Sequence, residues 1–365
     1  MYKHVVSLAF FCFLFSNFIG QFLPFDEYQF TKREQRRPTI PTWPVHLNHK
    51  SLTSFLNNVD KSMGERLPFR EIFMNFYFLH PHAGKLTPVD LTSAYIEGKE
   101  GWLFLGNPYN NVLSSTKNNV PPTKQDVVPI LDYIKKIRLL CEKFGIQSVV
   151  LIAPNKHSVY EEYLPAWVTP TKNNSQNRLA DLLLKQGRIE KEPVVFPRME
   201  LLSEKNEGDV YYSQDTHWNI RGAWVGLKSV LKLLSVQGVP TEPVFRIAEN
   251  RLGGDLATMR GTALRADPVW EILWNGIRIS PVSANHPIHE WETPDALYNK
   301  KILIIGDSFS EALAPLIGHF FSHTIWVREG NNRYKIFELV KFIEKYKPDI
   351  IVLEKVERGI LDDLV

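Results

Sequence analysis

Continuous apolar runs alternate along the chain with segments whose apolar residues recur at helical spacing. The runs have the composition of strands that are buried on both faces of a parallel sheet. They occupy residues 147–154, 192–197, 300–306, 323–327 and 349–355. Amphipathic helices are predicted around them at residues 123–144, 219–235, 309–320 and 334–346. Strands that alternate with helices predict an α/β protein, a three-layer α/β/α sandwich on a mostly parallel sheet.

The rest of the chain divides by composition. Residues 21–47 are polar and punctuated by proline, so they are predicted to form an extended linker. Helical periodicity begins near residue 50, and residues 48–365 are predicted to form one folded domain. Within this domain, residues 263–299 lack a helical period and contain several Trp and Pro residues. That pattern indicates an insertion made of short strands and loops.

The first 20 residues have the features of an export signal. Residues 5–19 are nearly all apolar, Lys3 precedes them, and four basic residues follow between positions 32 and 37. The apolar core is short for a membrane span and suits a signal segment, but no small-x-small cleavage site follows it. Residues 1–20 are therefore predicted to be a signal-anchor or a signal peptide, with a buried core helix as the alternative. The rest of the chain is expected in the periplasm or another extracytoplasmic space, anchored to the inner membrane by its N-terminus.

Composition excludes several classes of protein. The chain has 365 residues, of which 44% are hydrophobic and 23% charged, and this excludes disorder throughout and a polytopic membrane protein. Lys and Arg number 43 against 40 Asp and Glu, a surplus too small for a phosphate-binding surface, so no nucleic acid partner is expected. Two cysteines, Cys12 and Cys141, exclude a disulfide scaffold and a Cys-rich zinc site. Because the sequence has no Gly-rich phosphate loop and no dinucleotide-binding fingerprint, no cofactor is expected.

The motif GDSFS, residues 306–310, stands where a predicted strand turns into a predicted helix. Ligands of open parallel sheets bind at the carboxyl ends of the strands. Ser308 on such a turn would present its hydroxyl at this edge, near helix N-terminal amides that stabilise a developing oxyanion. The alternative is that Asp307 or Ser308 only caps the following helix.

The motif DTHWN, residues 215–219, supplies a carboxylate and an imidazole two residues apart. In extended backbone Asp215 and His217 project to the same side, so the carboxylate can orient the imidazole. A serine hydroxyl needs such a base to become nucleophilic, and Ser308, His217 and Asp215 together fill the three roles. A metal pair is one alternative, but two ligands are too few and no other His or carboxylate stands at ligand spacing, so no metal is expected. The other alternative makes Asp215 the N-cap of the helix at 219–235.

Lys156 and Tyr160 follow the strand predicted at 147–154. They are four residues apart, so in a helix they would share one face at the same edge of the sheet. This makes both candidates for contact with the substrate or with an oxyanion. A surface Lys beside a packed Tyr fits the spacing equally well.

Taken together, these motifs resemble the alginate O-acetyltransferase family of SGNH-hydrolase-like proteins, the AlgJ/AlgX type. The order and spacing of the matching segments carry the resemblance across most of the chain after the linker. The segments are EGKEGWLFLG at 97–106, PNKHSVYEEYLP at 154–165, DTHWN at 215–219, GGDLA at 253–257, GDSF at 306–309 and IVLEKVERG at 351–359.

The resemblance implies a Ser–His–Asp triad on Ser308, His217 and Asp215. Because Asp and His precede Ser in this chain, it also implies a circularly permuted SGNH-hydrolase-like fold. The oxyanion glycine of the family would then be Gly330. Glu357 and Arg358 stand where ordinary SGNH hydrolases carry an oxyanion asparagine.

The resemblance further implies an O-acetyltransferase that moves acetyl groups through an acetyl-serine intermediate to an exopolysaccharide, as in alginate biosynthesis, or to a cell-envelope glycan. The implied partner is a membrane-bound O-acyltransferase that supplies the acetyl groups across the membrane. Two alternatives stay open: a carbohydrate acetyl esterase that uses the same triad, and a non-catalytic glycan-binding scaffold subunit.

Overall fold

The computed structural model describes Trp43, part of residues 51–62, and residues 93–117, 122–165, 168, 178–236, 243–274, 277–279, 288–328 and 336–360. The chain forms two compact units, one of Met1–Thr87 with Ala257–Thr262 and one of Pro88–Leu256 with Ala263–Val365. The predicted signal segment, the linker apart from Trp43, and Gly330 lie outside the described residues. In the smaller unit the described residues of the 51–62 stretch are helical, as the periodicity near residue 50 predicts. The Trp43 ring there meets the Phe55 ring edge-on, with 5.0 Å between centroids.

The elements below are numbered in chain order. The strands are β1 Tyr95–Glu97, β2 Leu103–Leu105, β3 Gln147–Ala153, β4 Val194–Val195, β5 Val244–Leu252, β6 Ala266–Trp274, β7 Ile277–Ile279, β8 Ile288–Glu292, β9 Tyr298–Gly306, β10 Phe321–Arg328 and β11 Ile350–Val356. The helices are α1 Val112–Lys117, α2 Lys124–Lys143, α3 Lys156–Val159, α4 Leu179–Glu190, α5 Arg198–Glu204, α6 Ile220–Leu233, α7 Asp255–Arg260, α8 Ser310–Gly318 and α9 Ile336–Tyr346.

The central sheet has the strand order β4-β3-β11-β9-β10-β8. All neighbouring strands in it are parallel except β8, which runs antiparallel to β10 at one edge. Each of the apolar runs predicted to be buried strands contributes a strand to this sheet. Strands β3 and β4 lie beyond β11, at the edge of the sheet opposite β8.

Helices cover both faces of the sheet, which gives the predicted three layers. Strand side chains alternate between faces, so neighbouring residues pack into different layers. Leu303 and Ile305 of β9 belong to a buried cluster that draws on α2, α4 and α9; its helical members include Val127, Ile130, Ile134, Leu183, Leu339 and Ile343. From the other face Trp326 of β10 donates its indole N–H to Ser310 Oγ of α8 at 2.9 Å, and α8 packs against α6.

Two further sheets lie outside this sandwich. Strands β5, β6 and β7 form an antiparallel sheet, and β1 pairs with β2 as a hairpin. The segment predicted as an insertion, 263–299, contributes β6, β7 and β8, and β8 joins the central sheet itself. The hydrophobic pattern did not predict β5, because seven of its nine residues are exposed and show no alternation of apolar and polar positions. No helix among the described residues is both long enough and apolar enough to cross a bilayer.

Candidate active site

Ser308 lies on a tight turn between the end of β9 and the start of α8. The Asp307 carboxylate holds the turn by accepting the Phe309 and Val356 amides, each at 2.9 Å. Gly306 is required before it, because a Cβ there would lie 2.6 Å from Ser310 Cβ and 2.7 Å from a Glu354 carboxylate oxygen. The Ser308 hydroxyl therefore does not cap the helix; Asp307 satisfies the local amides and leaves the hydroxyl free to point elsewhere.

The Ser308 hydroxyl points at the imidazole of His217, which is 91 residues away in the chain. The distance between His217 Nε2 and Ser308 Oγ is 2.7 Å, and the distance between His217 Nδ1 and Asp215 Oδ1 is 2.6 Å. The Asp215 side chain is only 11% exposed, whereas the His217 side chain is 26% exposed. The three residues named by the sequence motifs thus form one hydrogen-bonded line, buried at the carboxylate and open at the imidazole.

The DTHWN motif supplies both site residues and the start of helix α6. Asn219 is the N-cap of α6, because its side-chain oxygen accepts the amides of Arg221 and Gly222 at 2.9 and 3.2 Å. Asp215 does not cap the helix, so that alternative is wrong. Residues Tyr211 and Trp218 form an antiparallel bridge that closes the loop between them.

Two residues that the sequence analysis did not name contact Asp215. Its second oxygen, Oδ2, accepts a hydrogen bond from Arg251 Nη2 on β5 at 2.9 Å and from the Asp255 amide at 3.3 Å. The Asp255 carboxylate in turn accepts the Thr216 amide at 2.7 Å and the Thr216 hydroxyl. Gly254 lets this segment approach, because a Cβ there would lie 2.4 Å from the Gln214 carbonyl oxygen. The GGDLA motif was the one sequence signal for Asp255, but it carried no indication of a role.

Asp255 also corrects the expectation that no further carboxylate stands at ligand spacing. Asp215, His217 and Asp255 have potential ligand atoms within 4.8 Å of one another. The Asp255 Oδ2 atom is 3.7 Å from His217 Nδ1, farther than Asp215. Because Nδ1 already shares a proton with Asp215, a cation at this place would displace that proton and remove the hydrogen bond that orients the imidazole.

Burial and neighbouring charges shift the pKa values of Asp215, His217 and Asp255. Burial alone would raise the pKa of Asp215, but the adjacent His217 and Arg251 outweigh it and the pKa lies below its usual range. Burial alone would lower the pKa of His217, but the carboxylates of Asp215 and Asp255 outweigh burial and the opposing charge of Arg358, so the pKa is raised. Burial and the neighbouring Asp215 raise the pKa of Asp255. The pair therefore favours an ionised Asp215 that supports a basic imidazole.

Lys156 and Tyr160 lie beneath the loop that carries Asp215. Lys156 is 2% exposed, and its ammonium donates to the carbonyl oxygens of Tyr212, Ser213 and Asp215. The Tyr160 hydroxyl accepts the Val210 amide at 2.9 Å, and its ring stacks on Trp102. The expectation that these side chains contact substrate is corrected by this placement, and so is the alternative of a surface Lys.

Arg358 lies at the end of β11, beside the Ser308 turn. Its guanidinium is 5.5 Å from the Phe309 ring centroid, and the His217 ring lies 5.0 Å from the same ring. Its Nη1 donates to Asn155 Oδ1 at 3.3 Å. A cation therefore lies on the Phe309 ring that the His217 ring also contacts, close enough for its charge to oppose protonation of the imidazole.

Comparison with known proteins agrees with this fold. A family described as "SGNH hydrolase-like domain, acetyltransferase AlgX" matches residues 95–314, more than half of the chain. The chain is 26% identical over 184 residues to the probable alginate O-acetylase AlgJ of Pseudomonas syringae pv. tomato; the match covers 48% of this chain but only 42% of that relative.

Two solved structures are similar in fold. The O-acetyltransferase domain of Pseudomonas putida AlgJ has a TM-score of 0.50 at 19% identity, with 73% of this chain and 92% of that chain covered. Bacillus cereus PatB1 with a sulfonyl adduct has a TM-score of 0.51 at 12% identity, with 74% and 97% covered. With the family match across more than half of its length and this shared fold, the chain belongs to the AlgX family of SGNH hydrolase-like acetyltransferase domains.

Proposed function

We propose that this protein is an O-acetyltransferase that moves acetyl groups onto an extracytoplasmic polysaccharide through an acetyl-serine on Ser308. The observation that carries the proposal is the hydrogen-bonded line from Asp215 through His217 to the Ser308 hydroxyl, with distances of 2.6 and 2.7 Å. A serine hydroxyl becomes a nucleophile only with a base in such contact, and the base works best with a fixed tautomer.

The first half of the reaction forms the acetyl-serine. His217 Nε2 takes the hydroxyl proton while Ser308 Oγ attacks the carbonyl carbon of the acetyl donor. The bond between the carbonyl carbon and the donor's leaving atom then breaks, and the leaving atom receives the proton from His217. Asp215 holds Nδ1–H of the imidazole and stabilises the imidazolium that exists between these two steps. Arg358, whose guanidinium lies 5.5 Å from the Phe309 ring centroid, is the group proposed to face the developing oxyanion.

The second half transfers the acetyl group to the acceptor. A sugar hydroxyl gives its proton to His217 and attacks the acetyl carbon, and the bond to Ser308 Oγ breaks. Ser308 regains its proton from His217, so the enzyme returns to its starting state. Water is chemically equivalent to the sugar hydroxyl here, and the outcome depends on how well the bound acceptor excludes it.

The relatives' names support the choice of acceptor, and the resemblance to the family suggests the acetyl supply. The similar Pseudomonas proteins are named alginate O-acetylase, so we propose an exopolysaccharide or cell-envelope glycan as acceptor. A membrane-bound O-acyltransferase is the proposed partner that passes acetyl groups outward. The proposed location is the periplasm or another extracytoplasmic space, with the N-terminal segment as the membrane anchor.

A carbohydrate acetyl esterase is the second candidate. The observation that favours it is the exposure of the His217 side chain, 26%, which leaves the imidazole open to water when no acceptor is bound. A non-catalytic glycan-binding scaffold has less support, because such a subunit has no need of a serine, an imidazole and a carboxylate in one hydrogen-bonded line.

Turnover of a chromogenic acetyl ester, with and without an oligosaccharide acceptor, tests the proposal. Acetylated oligosaccharide that requires the protein supports the transferase, and release of acetate to water alone supports the esterase. Ser308→Ala should abolish both reactions, at least about a thousandfold, because the triad acts as a unit. Ser322→Ala is the matched control, since its hydroxyl lies at the other end of the sheet and bonds the Lys300 carbonyl. Near wild-type turnover by Ser308→Ala would contradict the covalent mechanism.

A further inference from the structure

The segment from Tyr212 to Asp215 belongs to no helix or strand, yet it must hold the Asp215 carboxylate in place. Three of its carbonyl oxygens, those of Tyr212, Ser213 and Asp215, accept hydrogen bonds from Lys156 Nζ at 3.1, 3.1 and 2.7 Å. An ammonium has three N–H groups and no acceptor, so the three carbonyl oxygens use all of its donors. The Lys156 ammonium lies against the Trp102 and Phe104 rings, 5.6 and 5.2 Å from their centroids.

The amides of the same segment are bound by a buried carboxylate. Asp267, on β6 and 1% exposed, accepts the Ser213 amide and hydroxyl through Oδ1 at 2.9 and 2.5 Å. Its Oδ2 accepts the Gln214 amide at 2.9 Å. The carbonyls of the segment thus accept hydrogen bonds from a cation on α3. Its amides donate hydrogen bonds to an anion on β6.

We infer that Lys156 and Asp267 are positioning residues for the reaction, which together fix the segment that presents Asp215 to His217. This inference rests on the proposed function, because it assigns the two residues a part in that same reaction. The pair is called the Lys156–Asp267 clamp below. Neither residue reaches the Ser308 hydroxyl, so the clamp acts through Asp215.

The 2.7 Å hydrogen bond from Lys156 to the Asp215 carbonyl connects the clamp to the catalytic carboxylate. Without it the segment would relax, and the Asp215 carboxylate would move relative to His217 Nδ1. A displacement of about 1 Å in a catalytic group can cost on the order of a hundredfold in rate. The acidic groups that face the ammonium, Asp215, Asp255 and Asp267, would also lose their shared counter-charge.

The positive charge of Lys156 does not by itself stabilise the fold at neutral pH. Burial lowers the pKa of Lys156 to about 7, although the three facing carboxylates oppose the shift. A group whose pKa falls on folding is harder to protonate in the folded state, so its charge opposes folding at neutral pH. An apolar side chain of the same length removes this charge but leaves three buried carbonyl oxygens without a donor. The variant should therefore fold with a lower Tm and lose the positioning.

The test compares Lys156→Met with Lys205→Met in the full chain. Lys205 is the matched control, because its ammonium also donates to a carbonyl, that of Val159 at 2.6 Å, and lies over the Tyr160 ring, but it does not touch the segment. For Lys156→Met we expect kcat for the chromogenic ester to fall about tenfold to a hundredfold with KM unchanged. Sulfonylation of Ser308 by phenylmethylsulfonyl fluoride, followed by intact mass, should slow in parallel. Tm should fall modestly, because three buried carbonyl oxygens lose their donor. Lys205→Met should leave all three unchanged.

Added alkylamine gives a readout that a purely structural role would not move. Lys156→Ala should regain part of its kcat with n-propylamine, whose ammonium can occupy the vacated place, and none with n-propanol. Asp267→Asn is the second variant if Lys156→Met does not fold; it keeps the shape but offers one acceptor atom where two are used, and its kcat should fall similarly.

Three outcomes would overturn the clamp. They are wild-type kcat and sulfonylation in folded Lys156→Met, wild-type rates in folded Asp267→Asn, and equal recovery with the amine and the alcohol. Failure of the proposed function is distinguishable, because wild type would then show neither ester turnover nor sulfonylation at Ser308. Even in that case the downfield proton signal of His217 Nδ1–H tests the clamp: it should be present in wild type and lost or shifted in Lys156→Met, and an unchanged signal contradicts the inference.

Discussion

At the scale of single residues, the ionisation of His217 decides when Ser308 can react. The imidazole accepts a proton only in its neutral form, and its pKa is raised because Asp215 and Asp255 outweigh burial and the charge of Arg358. Arg251 tempers this effect, because it neutralises the far oxygen of Asp215.

The expected pH profile follows from these charges. Ester turnover, as kcat/KM, should rise with pH through one ionisation whose midpoint lies above the ordinary histidine value of about 6.5. Asp215→Asn removes the charge that holds the proton on the imidazole, so the midpoint should move to lower pH. The plateau should also fall, by as much as about 10⁴, because the imidazole loses its oriented tautomer.

The control for this profile is Glu290→Gln, which removes a carboxylate of β8 that pairs with His323 rather than with the site. Its midpoint and plateau should match those of wild type. An Asp215→Asn profile with an unchanged midpoint would mean that Asp215 does not set the ionisation of His217.

At the scale of elements, the site residues lie where strands end and a helix begins. Ser308 stands at the exit of β9, Arg358 at the exit of β11, and the Asp215 segment at the entrance of α6. Parallel strands bring their carboxyl ends to one edge, so residues that are far apart in the chain meet there. The entrance of α6 is fixed by its cap, Asn219, which also donates from Nδ2 to the Asp209 carbonyl at 2.6 Å.

Loss of this cap should weaken the fold measurably. Asn219→Ala leaves the amides of Arg221 and Gly222 without an acceptor at a buried helix start, so the free energy of unfolding should fall by about 1–2 kcal/mol. Denaturant unfolding followed by circular dichroism measures the change. Asn219→Ser keeps an acceptor for the amides and should recover part of the loss; equal stability of the Ala and Ser variants would show that the cap contributes little.

At the scale of the whole molecule, the sheet is completed by residues beyond those that the family match covers. The match ends at residue 314, but β10 and β11 flank β9 on its two sides, and β11 provides the amide that Asp307 binds. The site therefore needs the chain through the end of β11. Residues 1–20, in contrast, are predicted to direct export.

The export prediction is tested on the full-length protein. Because no small-x-small site ends the apolar run, the mature protein should keep its first residues and fractionate with the membrane. Two charges placed in that run, Phe11→Arg with Leu14→Arg, should leave the protein in the cytoplasm, whereas Phe11→Leu should behave as wild type. A mature N-terminus near residue 21 would show that the segment is a cleaved signal peptide instead.

The sequence by itself determined the sandwich and its main elements. A strand buried on both faces must be apolar throughout, and a helix that packs on one face must repeat its apolar residues, so β3, β9, β11, α2 and α9 are legible from local pattern alone. The line from Asp215 through His217 to Ser308 was predicted from motif chemistry, and the structure brings these three side chains together.

The tertiary structure alone decided what surrounds that line. Asp255 reaches the Asp215–His217 pair from 40 residues away, and Lys156 reaches the Asp215 carbonyl from 59 residues away. Strand β5, which carries Arg251, is mostly exposed and has no hydrophobic period, so the sequence pattern did not predict it. The period of apolar residues indicates which residues of one helix or strand are buried. A hydrogen bond or an ion pair depends on two groups meeting in space, and for a polar residue only the folded chain decides which partner it meets.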